Sequence, residues 1–139
     1  MGIVLVAALA LAACGKDKDR ERIDVRENMT SAIGVNGYLW RASLDALESL
    51  PISQADSAGG IIITDWFSDP SAPQERLKVT VTISDQRLRA DALNVSVVRQ
   101  EMMQGVWVNG SVLEGTEKKI EDTILTRARD LWIMQVDGG

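Results

Sequence analysis

The chain has 139 residues, 45% of them hydrophobic and 25% charged, which leaves room for one domain with one modest core. Its formal net charge of -5 argues against nucleic acid as a partner, because phosphate binding needs a concentrated basic face. It holds no histidine and one cysteine, which removes the commonest general base, Ser-His and Cys-His nucleophile pairs, thiolate metal clusters and intramolecular disulfides.

Ile3 to Ala12, IVLVAALALA, is apolar throughout yet roughly half the length that a bilayer-spanning helix requires. Its length and small-residue end match the hydrophobic part of a secretory signal. Leu11-Ala12-Ala13-Cys14 then sets a medium apolar residue and two small ones before the cysteine. This resembles the lipobox of bacterial lipoproteins. The resemblance implies a signal peptide over residues 1–13, cleavage before Cys14, and acylation of Cys14 by fatty acids such as palmitate. Met1 to Ala13 carry no basic residue, a departure from that pattern. Several acyl chains hold a protein on a membrane far more firmly than one. Gly15 in place of an aspartate implies, by resemblance to the sorting rule of Gram-negative bacteria, the periplasmic face of the outer membrane, with the inner membrane as the alternative. A buried thiol is the competing reading of Cys14, and the run GKDKDRER behind it argues against burial. Residues 14–32 are mixed in sign and poor in apolar side chains, so they read as a charged tether, with a short solvated helix as the alternative. Fully extended, such a tether reaches roughly 70 Å.

Residues 33–139 read as a single α+β domain. Apolar residues at 39, 42, 46 and 50, with Leu47 beside them, predict a helix from Asn36 to Leu50, capped by Asn36 and stopped by Pro51. The β-branched and aromatic run behind Gly59-Gly60 predicts a strand over 61–67. Arg76 to Ser84 alternates without a break, with Leu77, Val79, Val81 and Ile83 on one face and Lys78, Thr80 and Thr82 on the other. Leu93, Val95 and Val97 repeat the alternation, and GVWVNG adds a short fourth strand or prolongs the third. Thr116 is placed to cap a last helix over 117–132, whose apolar stripe is Ile120, Ile124, Ala128 and Leu131. The expected architecture is two-layer: an antiparallel sheet of three to four strands with an N-terminal and a C-terminal helix on its one apolar face.

Asp65, Asp69, Asp85 and Asp91 are the carboxylates that could pair for general acid-base work or hard-metal binding. Asp69 and Asp85 sit in turn contexts where aspartate serves the backbone, and no spacing matches a calcium loop. The reading is therefore no catalytic residue, no metal, no cofactor and no enzyme. Trp66 and Phe67 are adjacent, so in a strand they point to opposite faces, and one of them is a candidate anchor for a partner. Tyr38 and Trp40 flank the first helix; they read as core or rim packing and complete the set of candidate partner-binding aromatics.

The stretches GVNGYLWRASLDALESLP, GGIIITDWF, ERLKVTVTI, RADALNV and LTRARDL together resemble a family of Gram-negative lipoproteins described as domain of unknown function 3576. More distantly, a helix carrying Leu39-Trp40, a strand ending in Thr64-Asp65-Trp66, further antiparallel strands and a closing helix are similar to a domain of BamC. BamC is a lipoprotein subunit of the machinery that inserts β-barrels into the outer membrane. That similarity implies a helix-grip-like fold and a non-catalytic scaffold or accessory role in envelope assembly. Its partners would then be envelope proteins, the barrel-assembly machinery among them, and the membrane through the lipid anchor. BamC has two such domains and a long N-terminal segment, whereas this chain has one domain and a short tether. The alternative is a carrier of a small ligand or lipid, held in an apolar cavity between helix and curved sheet.

Overall fold

The computed structural model describes residues 34–138; the expectations placed on residues 1–33, including the signal peptide, Cys14 and the tether, lie outside the described residues. Helix α1 (Gly37–Ala46) begins where the Asn36 side chain accepts the Leu39 N–H at 2.9 Å, the predicted cap. Asn36 is itself buried and does more than cap: its Nδ2 donates to the Gln86 carbonyl at 3.1 Å and its N–H to the Asp85 carbonyl at 2.9 Å. One side chain thus ties the start of the helix to a distant turn. The helix ends at Ala46 rather than Leu50, and residues 47–50 form a turn that delivers Pro51 to the first strand.

That strand, β1 (Ile52–Asp56), was not among those expected. All five of its residues are exposed, so it lacks the apolar alternation by which strands are recognised. It forms a hairpin with β2 (Ile61–Thr64). Asp56 closes the turn by accepting the N–H groups of Ala58 and Gly59, and Gly60 adopts a φ of 71°. A Cβ on Gly60 would stand 2.2 Å from the Ile83 carbonyl oxygen, so this position requires glycine. β3 (Glu75–Ile83) pairs along its full length with residues 93–101 of β4 (Leu93–Met103). β4 then turns through Gln104 and Gly105, both at positive φ, into β5 (Val106–Gly110). The result is an antiparallel sheet of five strands in the order β1-β2-β3-β4-β5, against the three to four expected. The α+β class stands.

The last helix, α2 (Thr116–Asp137), starts at Gly115 in the left-handed conformation with no side-chain cap, so Thr116 is its first residue rather than its cap. It also runs five residues past Trp132. Ile62, Val79, Val81, Ile83 and Val95 project from one face of the sheet into a core shared with Leu39 and Ala42 of α1 and Ile124 and Ala128 of α2. Both helices therefore lie on that face. β5 pairs with β4 only over residues 99–103, which leaves the earlier half of that edge without a strand. α2 covers it. The carboxylates of Glu121 and Glu117 accept the N–H groups of Val95 at 3.1 Å and Val97 at 2.8 Å, one helical turn spanning one strand repeat.

The two helices are also joined through Asp45, which accepts hydrogen bonds from Arg127 at 3.0 Å and Arg41 at 2.9 Å. Burial opposes its charge, but the bonds from Arg127 and Arg41 outweigh that effect and hold the carboxyl below the ordinary aspartate range.

Two stability predictions arise here. Asn36→Ala should cost about 1–2 kcal/mol in urea unfolding, because the cap and the side-chain bond to the Gln86 carbonyl are lost together. Asn36→Asp, which retains the capping oxygen, should recover part of the loss. Because the folded pKa of Asp45 lies below its unfolded value, its contribution is present above the unfolded pKa and fades as pH falls through the folded one. Asp45→Asn should accordingly lower stability by about 0.5–1 kcal/mol at neutral pH. The difference should shrink below about pH 4, and a pH-independent difference in urea midpoint would assign the effect to packing instead.

Candidate functional site on the open face of the sheet

The face turned away from the helices carries Arg76, Lys78, Thr80 and Thr82 from β3, flanked by Ser96, Val98 and Gln100 of β4. Ile61 and Ile63 of β2 share it, opposite Thr82 and Thr80, so most of it mixes hydroxyl and aliphatic side chains. The exception is one end, where β2 gives way to an irregular segment.

β2 and β3 keep register as far as Ile63 opposite Thr80, and pairing then resumes with Phe67 opposite Leu77, so residues 64–66 stand against 78–79. One residue has been inserted. Without it Trp66 would oppose Leu77 on the helix side; with it Phe67 takes that place and Trp66 moves to the open face. The gap in the ladder is stitched by the buried Thr64, whose Oγ1 accepts the Val79 N–H at 2.9 Å. Asp65 donates its N–H to the Pro51 carbonyl at 2.7 Å and accepts the Trp66 N–H on Oδ1 at 2.7 Å.

Trp66 arrives against Arg76, whose Cζ lies 4.3 Å from its ring centroid and 4.2 Å from that of Trp107 on β5. Lys78 Nζ lies 5.0 Å from the Trp66 ring. Each such contact is worth about 0.5–1 kcal/mol at an exposed site. Arg76 is further held by Gln100, whose Oε1 accepts from Nε at 2.8 Å and Nη2 at 2.6 Å. Gln100 in turn donates to Asn109 Oδ1 at 3.0 Å. Nη1 of Arg76 makes no hydrogen bond among the described residues. The ensemble is a guanidinium fixed by two indoles and one amide, with one donor group left over.

The expected aromatics do not form one site. Trp66 is on the open face and Phe67 on the helix side, both half-buried. Tyr38 is half-buried and donates its hydroxyl to Gln135 Oε1 at 2.6 Å, binding α1 to the end of α2. Trp40 is only 6% exposed and belongs to the core, so its indole offers no surface to a partner. Trp107, Arg76, Gln100 and Asn109 were not singled out from the sequence. The alternation of Val106, Trp107 and Val108 behind Gly105 was the available signal for Trp107.

The candidate carboxylates are dispersed into local roles. Hydrogen bonds from the side chain and backbone of Ser71 hold Asp69 below the ordinary carboxylate range. Arg87 does the same to Asp85 and Arg89 to Asp91. Asp65 caps Trp66 as described. Among the described residues no group of three potential ligands could hold a metal ion, and no helix is long and apolar enough to cross a membrane.

The family described as a domain of unknown function (DUF3576) matches residues 33–133, which include α1, all five strands and most of α2. The chain belongs to the DUF3576 family. A relative, the uncharacterized protein RP420 of Rickettsia prowazekii (strain Madrid E), is 35% identical over 114 residues, which cover 81% of this chain and 68% of the relative. In the DUF3576 domain the match embraces both halves of the open-face cluster, Trp66 and Arg76 on one side and Trp107 on the other.

Thr64→Val in this DUF3576 domain should cost about 1–3 kcal/mol, because it leaves the Val79 N–H without an acceptor. It should also change the fluorescence of Trp66. A stability loss with the Trp66 signal unaltered would show that the bulge survives without Thr64 Oγ1.

Proposed function

We propose that this DUF3576 protein is a non-catalytic, lipid-anchored lipoprotein of the Gram-negative outer membrane, facing the periplasm, that binds other envelope proteins through the open face of its sheet. The observation that carries the binding role is the Trp66-Arg76-Trp107 cluster. Tryptophan and arginine dominate the energetics of protein interfaces, and an arginine already held in place loses little freedom when a partner arrives. The Leu11 to Cys14 lipobox supports the anchor, and the charged residues 14–32 suit a tether. The similarity to a BamC domain supports a role as scaffold or accessory in outer-membrane protein assembly, with the barrel-assembly machinery as the first partner to test.

The carrier alternative has less support. A carrier needs an enclosed apolar chamber, and the three surface grooves described are open to solvent, two of them lined mainly by charged and polar side chains such as Lys118, Asp122 and Arg127.

The binding reading is tested by placing a photo-crosslinking amino acid at Thr80 or Ser96 on the open face, or at Lys119 on α2, in cells. Crosslinks to a discrete envelope protein from the first two positions, weakened by Arg76→Gln, are expected. Crosslinks from position 119 alone would overturn the reading. For the anchor, intact mass should show acyl groups on membrane-extracted protein, and Cys14→Ser should release the protein to the soluble fraction. An unmodified mass on the parent protein would sink the lipoprotein assignment.

A further inference from the structure

The cations of this domain fall into two groups. Arg41, Arg87, Arg89, Arg99, Lys118 and Arg127 each hold a carboxylate, Arg99 holding both Glu75 and Glu101. Arg76, Lys78, Lys119 and Arg129 hold none among the described residues, and of these four only Arg76 and Lys78 share one strand face, at the most constructed part of the open face. In a chain of net charge -5, two neighbouring cations with no counter-ion among the described residues stand out as a site suited to one.

We propose that Arg76 and Lys78, framed by Trp66 and Trp107, bind the carboxylates of an extended acidic segment of a partner protein, one with acidic side chains at alternate positions. This rests on the open face being the partner-binding surface. Three features carry it. Gln100 occupies Nε and Nη2 of Arg76 and leaves Nη1 without a partner among the described residues, so the guanidinium is oriented before any ligand arrives and presents a donor suited to a carboxylate oxygen. Arg76 and Lys78 are two residues apart on one strand face, a separation of about 6.8 Å that equals the repeat of same-side residues in an extended peptide. The indoles exclude water beside both cations, and charge pairs strengthen as the local dielectric falls.

Beyond the pair, Thr80, Thr82 and Ser96 supply groups that donate and accept hydrogen bonds and Ile61 and Ile63 supply apolar contact, a mixture that suits a peptide. A lipid surface fits less well. Each cation gains only about 1 kcal/mol at an anionic bilayer, and this face offers two of them on a chain that is negative as a whole.

The test uses the full 139-residue chain labelled with nitrogen-15, with the indole N–H resonances of Trp66 and Trp107 as the readout. The probes are an acetylated, amidated peptide alternating threonine and glutamate, its glutamine counterpart, and vesicles containing phosphatidylglycerol. At low ionic strength the glutamate peptide should shift both resonances saturably, bind about tenfold more tightly than the glutamine peptide, and weaken as salt is added. Arg76→Gln should abolish the difference between the peptides while the remaining spectrum stays folded, and Arg76→Lys should restore part of it. Equal shifts from both peptides would overturn the carboxylate site and leave the open face as a binding surface. No shift from either peptide, or a response to the vesicles alone, would overturn it as well. Charge-dependent peptide binding without cellular crosslinks from positions 80 and 96 would preserve the site and remove the envelope-partner reading instead.

Discussion

Two helices can shield only one face of a five-stranded sheet, and the rest of this domain is arranged around what they leave uncovered. The apolar stripes of α1 and α2 close over Ile62, Val79, Val81 and Val95, and that burial supplies the fold's main driving force. It also determines what remains: an outward face that neither α1 nor α2 covers and a sheet edge that β5 only partly pairs. The face is made compatible with water by threonine, serine, asparagine and glutamine. Trp66, Arg76 and Trp107 are gathered at one end of it, and Ile61, Ile63 and Val98 are spread over the rest.

That cluster depends on a single inserted residue. Strand alternation would have sent Trp66 into the core layer, and the bulge between Ile63 and Phe67 reverses its direction. Thr64 makes this tolerable, since its hydroxyl takes the place of the backbone carbonyl that the ladder lost. The core loses nothing, because Phe67 fills the position opposite Leu77 that Trp66 vacates.

The elements that bury one face were legible in the sequence. β3 and β4 alternate cleanly and α1 carries its stripe and its Asn36 cap; Trp66 and Phe67 do face opposite ways, but from beyond β2, which ends at Thr64 and does not run to Phe67 as expected. The elements that bury nothing were not. β1 is exposed along its whole length and is held by backbone pairing, for which ISQAD gives no pattern. The continuation of α2 past Trp132 was missed for the same reason: Trp132, Ile133, Met134 and Val136 are all exposed, so the stripe stops before the helix does. The partners of Trp66 were hidden differently. Arg76 and Trp107 are 31 positions apart in the chain and meet only because β3, β4 and β5 lie side by side in this register. Arg76 read as the start of a strand, and nothing local marked it as the centre of a site.

The manner in which α2 covers the free edge of β4 couples two properties that are usually separate. Glu117 and Glu121 occupy the Val95 and Val97 N–H groups with side chains, not with another strand, so the protection lasts only while the helix stays docked. Any excursion that lifts α2 uncovers, in one event, the apolar floor beneath it and a row of unpaired strand donors. Opening of one helix therefore adds a route to β-paired self-association that needs no global unfolding, beside the edges that β1 and β5 present.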